Sequence, residues 1–337
     1  MRIATYNVEW FSNLFDRTGR LLEDDEWSAR YQVTRRQQLE GLGIVFSALD
    51  ADVVVIVEAP DENRRRHTVQ MLERFAHHFG LRTRRALLGY PNETQQEIAL
   101  LYDPEKVVAT HDPRGGEDAS PRFDTSYRID LDIDADPETV AFSKPPLEVA
   151  LETPAGRMVR LIGVHIKSKA PHGATSPDSA NRIAIENRRK QLAQCIWLRA
   201  RVEEHLDEGD SVIVLGDFND GPGIDEYEKL FGRSGIEIVL GENAVPARRL
   251  RDPHARISKM RGTSAAPASA RFYLPEAGHY FSAMLDYVML SADLCADAPK
   301  WRIWHPFDDP VCYHTPELRE ALLQASDHFP VSVDISL

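Results

Sequence analysis

Three features of the 337-residue chain predict an α/β fold: short β-branched runs recur along it, helical patterns separate most of them, and a 42% apolar content is ample for a core. Residues 2–8 read as the first strand. A helical pattern over 31–49 leads to a second strand at 52–57, the run Asp52-Val53-Val54-Val55-Ile56-Val57. Another helix is expected over 62–79, then strands at 98–102, 146–151 and 158–165. The longest helical pattern, 179–207, repeats Leu192, Cys195, Ile196, Val202 and Leu206 at helical spacing. Strands at 211–216, 286–290 and 331–335 complete the alternation. Thr153-Pro154-Ala155-Gly156 is too short for a crossover, so 146–151 and 158–165 form a hairpin and the sheets are mixed or antiparallel. With no repeat and no linker, one domain over 1–337 is the simplest partition.

Acidic residues number 53 against 40 basic ones, a formal charge of -13. Long-range attraction to a polyanion is therefore absent on average, which argues against a dedicated duplex DNA binder. Seven arginines between Asp61 and Tyr90 (64, 65, 66, 74, 82, 84, 85) are expected to form a solvated helix face. Cys195, Cys295 and Cys312 are too few and too dispersed for a disulfide framework, which favours a reducing compartment. No apolar stretch has the length of a signal peptide or of a membrane span. The expectation is a cytoplasmic, monomeric enzyme with no membrane partner.

A buried run that stops at a polar residue leaves that side chain at the rim of the sheet, within reach of a substrate. Residues 3–6 lead to Asn7 and Glu9, 53–57 to Glu58, 161–164 to His165, and 212–215 to Asp217 and Asn219; Asp327-His328 precedes the last strand. Carboxylates and amides dominate this set, which suits Mg²⁺ or Mn²⁺ better than Zn²⁺. Each residue alone has a plain structural reading. Asn7 closes a turn, Glu58 favours the start of the following helix, Asp217 is a turn acid, and Asp286 starts a strand.

The combination carries more. Tyr6-Asn7-Val8-Glu9, Val57-Glu58, Ile98-Ala99-Leu100-Leu101-Tyr102, Pro145-Pro146-Leu147, Gly163-Val164-His165, Gly216-Asp217-Phe218-Asn219, Leu285-Asp286-Tyr287 and Ser326-Asp327-His328 occur in this order across essentially the whole chain. In order and wording they resemble the endonuclease/exonuclease/phosphatase superfamily, which includes deoxyribonucleases, abasic-site endonucleases, sphingomyelinases and inositol polyphosphate 5-phosphatases. The resemblance implies a four-layer α/β sandwich, with two mixed, mostly antiparallel sheets face to face and helices outside.

It also implies divalent-metal-dependent hydrolysis of phosphate esters, with Glu58 as principal metal ligand and Asn7, Glu9 and Asp327 close to the metal or its waters. Asp217 would orient and deprotonate the attacking water. Asn219 and His328 would hold phosphoryl oxygens, His165 would stand at the leaving group, and Asp286 would orient a histidine, His328 foremost. Such a set meets the needs of phosphoryl transfer: positioning, charge neutralisation, and donors aimed at developing charge. Two departures stand out: Val57 replaces the usual glutamine before Glu58, and Lys144 stands where arginine is common, a point charge in place of a fork.

Lys167 is placed to reach substrate phosphate, whereas Lys169, Arg188 and Arg189 are expected at a solvated surface, the two arginines bordering the cleft at most. His77-His78 reads as helix surface. Trp10, Phe11, Trp197 and Phe218 are expected to pack. No phosphate loop, nucleophile elbow or zinc helix is present. The substrate expected first is a nucleic acid or another phosphodiester. A phosphomonoesterase acting on a small phosphorylated sugar, inositol or nucleotide is the alternative, and a catalytically inactive binding module is the third reading.

Overall fold

The computed structural model describes residues 1–116, 119–129, 131, 138–171, 173–221, 232–259, 266–274 and 278–337. One sheet has six strands: β1 (Arg2–Asn7), β2 (Val53–Ala59), β3 (Arg85–Leu88), β4 (Glu97–Tyr102), β14 (Lys300–Ile303) and β15 (Val331–Asp334), ordered β14-β15-β1-β2-β4-β3. The other has five: β5 (Val108–His111), β8 (Leu147–Glu152), β9 (Met158–His165), β10 (Val212–Asp217) and β13 (Asp286–Leu290), ordered β13-β10-β9-β8-β5. Each contains one parallel pair, β1 with β2 and β9 with β10, and all other neighbours are antiparallel. The two parallel pairs lie inside their sheets.

Successive strand side chains point to opposite faces, so one strand supplies two layers of core. From β2, Val53, Val55 and Val57 enter the cluster between the sheets, while Val54 and Ile56 face the helices. Full burial of such side chains contributes about 1.5–3 kcal/mol each. The sheets approach closely at Gly163, where an added Cβ would lie 2.9 Å from Val55 Cγ1.

On the outer face of the six-stranded sheet lie α1 (Arg35–Leu49), α2 (Thr68–His78) and, from the end of the chain, α4 (Pro316–Ala325), contributing Leu42, Phe46, Phe75 and Leu322 to one core. Thr34 and Gln37 close a capping box on α1. The outer face of the five-stranded sheet is covered by α3 (Pro177–Asp207), whose Trp197 and Leu198 pack with Val212 and Phe218. This is the four-layer arrangement.

All eight expected strands are present within a residue or two, and Gly156, at φ 78°, turns the expected hairpin. Helix α1 starts at Arg35 rather than 31 because Ala29 and Gln32 sit at positive φ, which an α-helix excludes. α2 starts at Thr68, since the Glu62 carboxylate accepts from the Thr68 N–H and holds the preceding loop. The short strands β3, β5 and β14 carry half-exposed edges and little apolar signal. Two further antiparallel pairs lie outside these sheets: β6 (Ser126–Ile129) with β7 (Glu138–Ala141), and β11 (Ala270–Leu274) with β12 (His279–Ala283). The arginines expected as one solvated face divide: Arg64 and Arg65 are exposed, but Arg82 bridges Asp50, Asp52 and Asp103. Among the described residues, no helix is long and apolar enough to cross a membrane.

Candidate active site

Register places three of the titratable groups side by side. Asp217 ends β10 opposite His165 of β9 on one flank and Asp286 of β13 on the other. Gly216 precedes it at φ 141°, with Val164 O only 2.0 Å from where a Cβ would stand, so the sharp exit from β10 requires glycine. The chain then turns through Asn219 at φ 49°, and Phe218 anchors that turn in the core. Asp217 accepts from the Asn219 N–H (2.8 Å), the Asn219 amide (3.2 Å) and the Asn7 amide of the opposite sheet (3.0 Å).

His328 Nδ1 donates to Asp286 Oδ2 at 2.7 Å, and the same oxygen accepts from Ser269 Oγ at 2.7 Å. With Nδ1 committed, Nε2 of His328 points toward Asp217, 4.0 Å from Oδ2. Burial works against a charged His328, but Asp286 and Asp217 outweigh it and hold the pKa well above the usual histidine value. Burial pushes Asp217 up to about 7, with Asp286 adding and His328 opposing. His165 behaves oppositely: burial, then the charges of Lys144, His328 and Lys167, hold its pKa well below the usual value. Lys144 Nζ lies 3.1 Å from His165 Nδ1, and an ammonium has only donors. Nδ1 is therefore the acceptor, leaving a neutral ring with Nε2–H, 3.6 Å from Asp217 Oδ2.

The six-stranded sheet contributes the remaining acids. Glu58 occupies a bulge between Val57 and Ala59 at φ 60°, a left-handed conformation unusual for a side-chain-bearing residue in a strand. Its Oε2 accepts from the Gln96 amide at 2.7 Å, and Gln96 in turn accepts from Lys144. Glu9 pairs with Arg30 (2.7 Å), yet burial and the nearby Asp327 push its pKa up to about 7. Glu58 is raised as well, by burial against Lys144, with Asp327 adding. Ser326 Oγ donates to Asn7 O and accepts from the N–H groups of Glu9 and His328, which ties β1 to the turn carrying Asp327.

The structure thus brings Asn7, Glu9, Glu58, His165, Asp217, Asn219, Asp286, Asp327 and His328 to one rim. Lys167 stands near enough to depress His165 and Lys144, and no acid among the described residues pairs with it. Three expectations are corrected. Lys169 bonds Asp220 at 2.9 Å rather than lying at a solvated surface, and Arg188 is fully buried against the same carboxylate at 2.8 Å. Trp10 does not pack: it is 44% exposed, while Phe11, Trp197 and Phe218 are buried as expected. Its φ of 58° turns the ring outward while its N–H faces Glu58. Gln96 and Ser269 escaped sequence reasoning because each sits in a loop without a distinctive neighbour. Ser326 was signalled only as part of the terminal motif.

Two donor sets here are able to hold a cation. Oxygens of Asp217 and Asp286 and a nitrogen of His328 lie within 4.8 Å of one another; hydrogen bonds engage both Asp217 oxygens, Asp286 Oδ2 and His328 Nδ1, while Asp286 Oδ1 is buried with no partner among the described residues. Glu9, Glu58 and Asp327 repel one another, and Asn7 Oδ1 and Asp327 Oδ1 are buried with no hydrogen-bond partner among the described residues. An all-oxygen set with unsatisfied lone pairs fits a hard divalent cation.

Among curated proteins, none matches the chain by sequence. Similar solved structures include an AP endonuclease from Archaeoglobus fulgidus (13% identity, 100% of each chain, TM-score 0.52) and a humanized D. rerio TDP2 with 14 mutations (12%, 100% of this chain and 99% of that one, TM-score 0.51). A third is the 3' phosphatase NExo from Neisseria, bound to a product DNA hairpin (15%, 100% of each chain, TM-score 0.50). At these identities they share the fold. The model of the Endonuclease/Exonuclease/phosphatase family matches residues 4–328, and the chain belongs to that family of phosphoesterases.

Proposed function

We propose that the chain is a divalent-metal-dependent phosphodiesterase acting on nucleic acid. The carrying observation is the convergence of Asp217, Asn7, Asn219, His165 and the Asp286–His328 pair from both sheets onto one rim. Glu58, with Asn7, Glu9 and Asp327 beside it, would hold Mg²⁺ or Mn²⁺, which when bound supplies neutralisation of phosphoryl charge. Asp217, oriented by two amides and one backbone N–H, takes the proton of the attacking water at a carboxylate oxygen. His328, fixed by Asp286, directs Nε2–H at a non-bridging oxygen, and Asn219 steadies the same group. His165 presents Nε2–H toward the leaving oxygen. Lys144 and Lys167 add positive charge on that side.

Lys144, Lys167 and the charged His328 stand among the acids of this rim, donors suited to phosphoryl oxygens. The names of the similar structures, an AP endonuclease and a phosphatase bound to a DNA hairpin, support a nucleic acid substrate. The test is hydrolysis of bis(4-nitrophenyl) phosphate, 4-nitrophenyl phosphate and single- and double-stranded DNA with Mg²⁺ or Mn²⁺. Cleavage of diester and DNA is expected, abolished by EDTA. Turnover of the monoester alone would replace this reading with the phosphomonoesterase.

A further inference from the structure

Beside the acids of the six-stranded sheet lies a cleft of about 360 Å³, in the size range of small-ligand sites. Glu9 and Asp327 line it, so it adjoins the candidate metal set. Its walls come from segments remote in sequence: the loop before α1, the strands β11 and β12, and the turn from α4 to β15. Tyr31 of the loop stacks on Tyr273 of β11, with ring centroids 5.2 Å apart and planes at 16°, and Tyr273 leans on Tyr280 at 5.3 Å. Arg271 lies with its guanidinium 3.6 Å from the Tyr280 ring centroid, and no acid among the described residues pairs with it.

The loop is built to present Tyr31. The residues on either side of Arg30-Tyr31, Ala29 and Gln32, hold positive φ values of 79° and 56°. Arg30 is buried, paired with Glu9 and bonded to the carbonyls of Leu323 and Gln324, which pins the loop to the metal-side acids. Tyr31, the next residue, is 61% exposed, and Tyr280 is 48% exposed. An aromatic ring held out on strained backbone gains little from burial, so its position calls for another explanation. Planar rings with an unpaired guanidinium form a stacking platform, which every nucleobase can use and which a paired base inside a duplex cannot reach.

We propose that this cleft is a base-stacking subsite, which takes the unpaired nucleobase of a nucleotide flanking the phosphate held at the acids. The proposal rests on the nucleic acid reading above and adds to it a preference for single strands, set by Tyr31, Tyr273, Tyr280 and Arg271. It is tested by calorimetric titration, in EDTA, of a single-stranded hexadeoxynucleotide and of the same strand with its central bases replaced by tetrahydrofuran spacers. Wild type is expected to bind the base-bearing strand about tenfold more tightly, in line with the loss of one base stack. Tyr31→Ala and Arg271→Ala each bring that ratio toward one, while Tyr31→Phe keeps it and thermal melting verifies that all three variants fold. An unchanged ratio in Tyr31→Ala, or equal binding of both strands by wild type, overturns the subsite. Base-dependent binding with no cleavage of either strand in Mg²⁺ or Mn²⁺ keeps the subsite and removes the catalytic reading; cleavage without base preference does the reverse.

Discussion

The two sheets meet at the same rim but arrive in different states. From the five-stranded sheet, His165, Asp217 and Asp286 come in register across three adjacent strands, and hydrogen bonds from Asn7, Asn219, Ser269 and His328 already orient the two acids. From the six-stranded sheet, Glu9, Glu58 and Asp327 crowd one another and Glu58 sits on a strained bulge; an oxygen of Asp327 is buried without a partner among the described residues, as is one of Asp286 in the other sheet. On the function proposed above, the first half handles the proton. The second is a donor set whose mutual repulsion a cation relieves. Division of labour between sheets, rather than any single residue, is what the fold provides.

The sharpest way to break this comparison is to disable the first half alone. Asp217→Asn keeps the size of the side chain but removes the proton acceptor, and kcat on a diester should fall by about 10³, or ~4 kcal/mol. A fall of less than tenfold, measured at saturating substrate, would mean that the base lies elsewhere. Gly216→Ala attacks the turn that delivers Asp217. An added Cβ 2.0 Å from Val164 O, at a φ only glycine tolerates, should cost about 3 kcal/mol or more in urea unfolding. Wild-type stability would show that the turn relaxes and that its geometry is not imposed by the strand exit.

On the other side, Glu58→Gln should leave the metal-free protein at least as stable, because it removes one of three crowded charges. It should also cut the rise in melting temperature produced by Mn²⁺, worth about 2.7 kcal/mol at a hundredfold excess over the wild-type Kd, to about half or less. An undiminished rise in that variant would move the cation away from Glu58. The smallest effect is expected for Ser269→Ala. Asp286 loses a donor and two N–H groups lose their acceptor, for roughly 1–3 kcal/mol of stability, and the less firmly held His328 lowers kcat modestly. A change in metal-induced stabilisation instead would blur the boundary between the halves.

How much of this was legible beforehand follows the same physics. Strands buried on both faces, such as 53–57 and 212–215, announce themselves by continuous apolar runs, and their ends supplied most of the rim. Edge strands 85–88, 108–111 and 300–303 have too little burial to leave a pattern. Glu58 was legible as a residue but its bulge was not, because the strain is imposed by pairing with β4. Val57, in place of the usual glutamine, points into the core between the sheets. Gln96, from the loop before β4, donates to Glu58, a contact between distant positions that no local spacing reveals. Arg188 misled because charge usually marks a surface, whereas here Asp220, 32 positions away, neutralises it inside.

The central claim, that one sheet holds the cation and the other handles the proton, is tested most directly by calorimetric Mn²⁺ titration of wild type, Glu58→Gln and Asp217→Asn. Asp217→Asn should bind Mn²⁺ close to wild-type affinity while failing to hydrolyse a diester, and Glu58→Gln should bind at least tenfold more weakly. Loss of binding in Asp217→Asn with binding retained in Glu58→Gln would place the ion among Asp217, Asp286 and His328, and contradict the account.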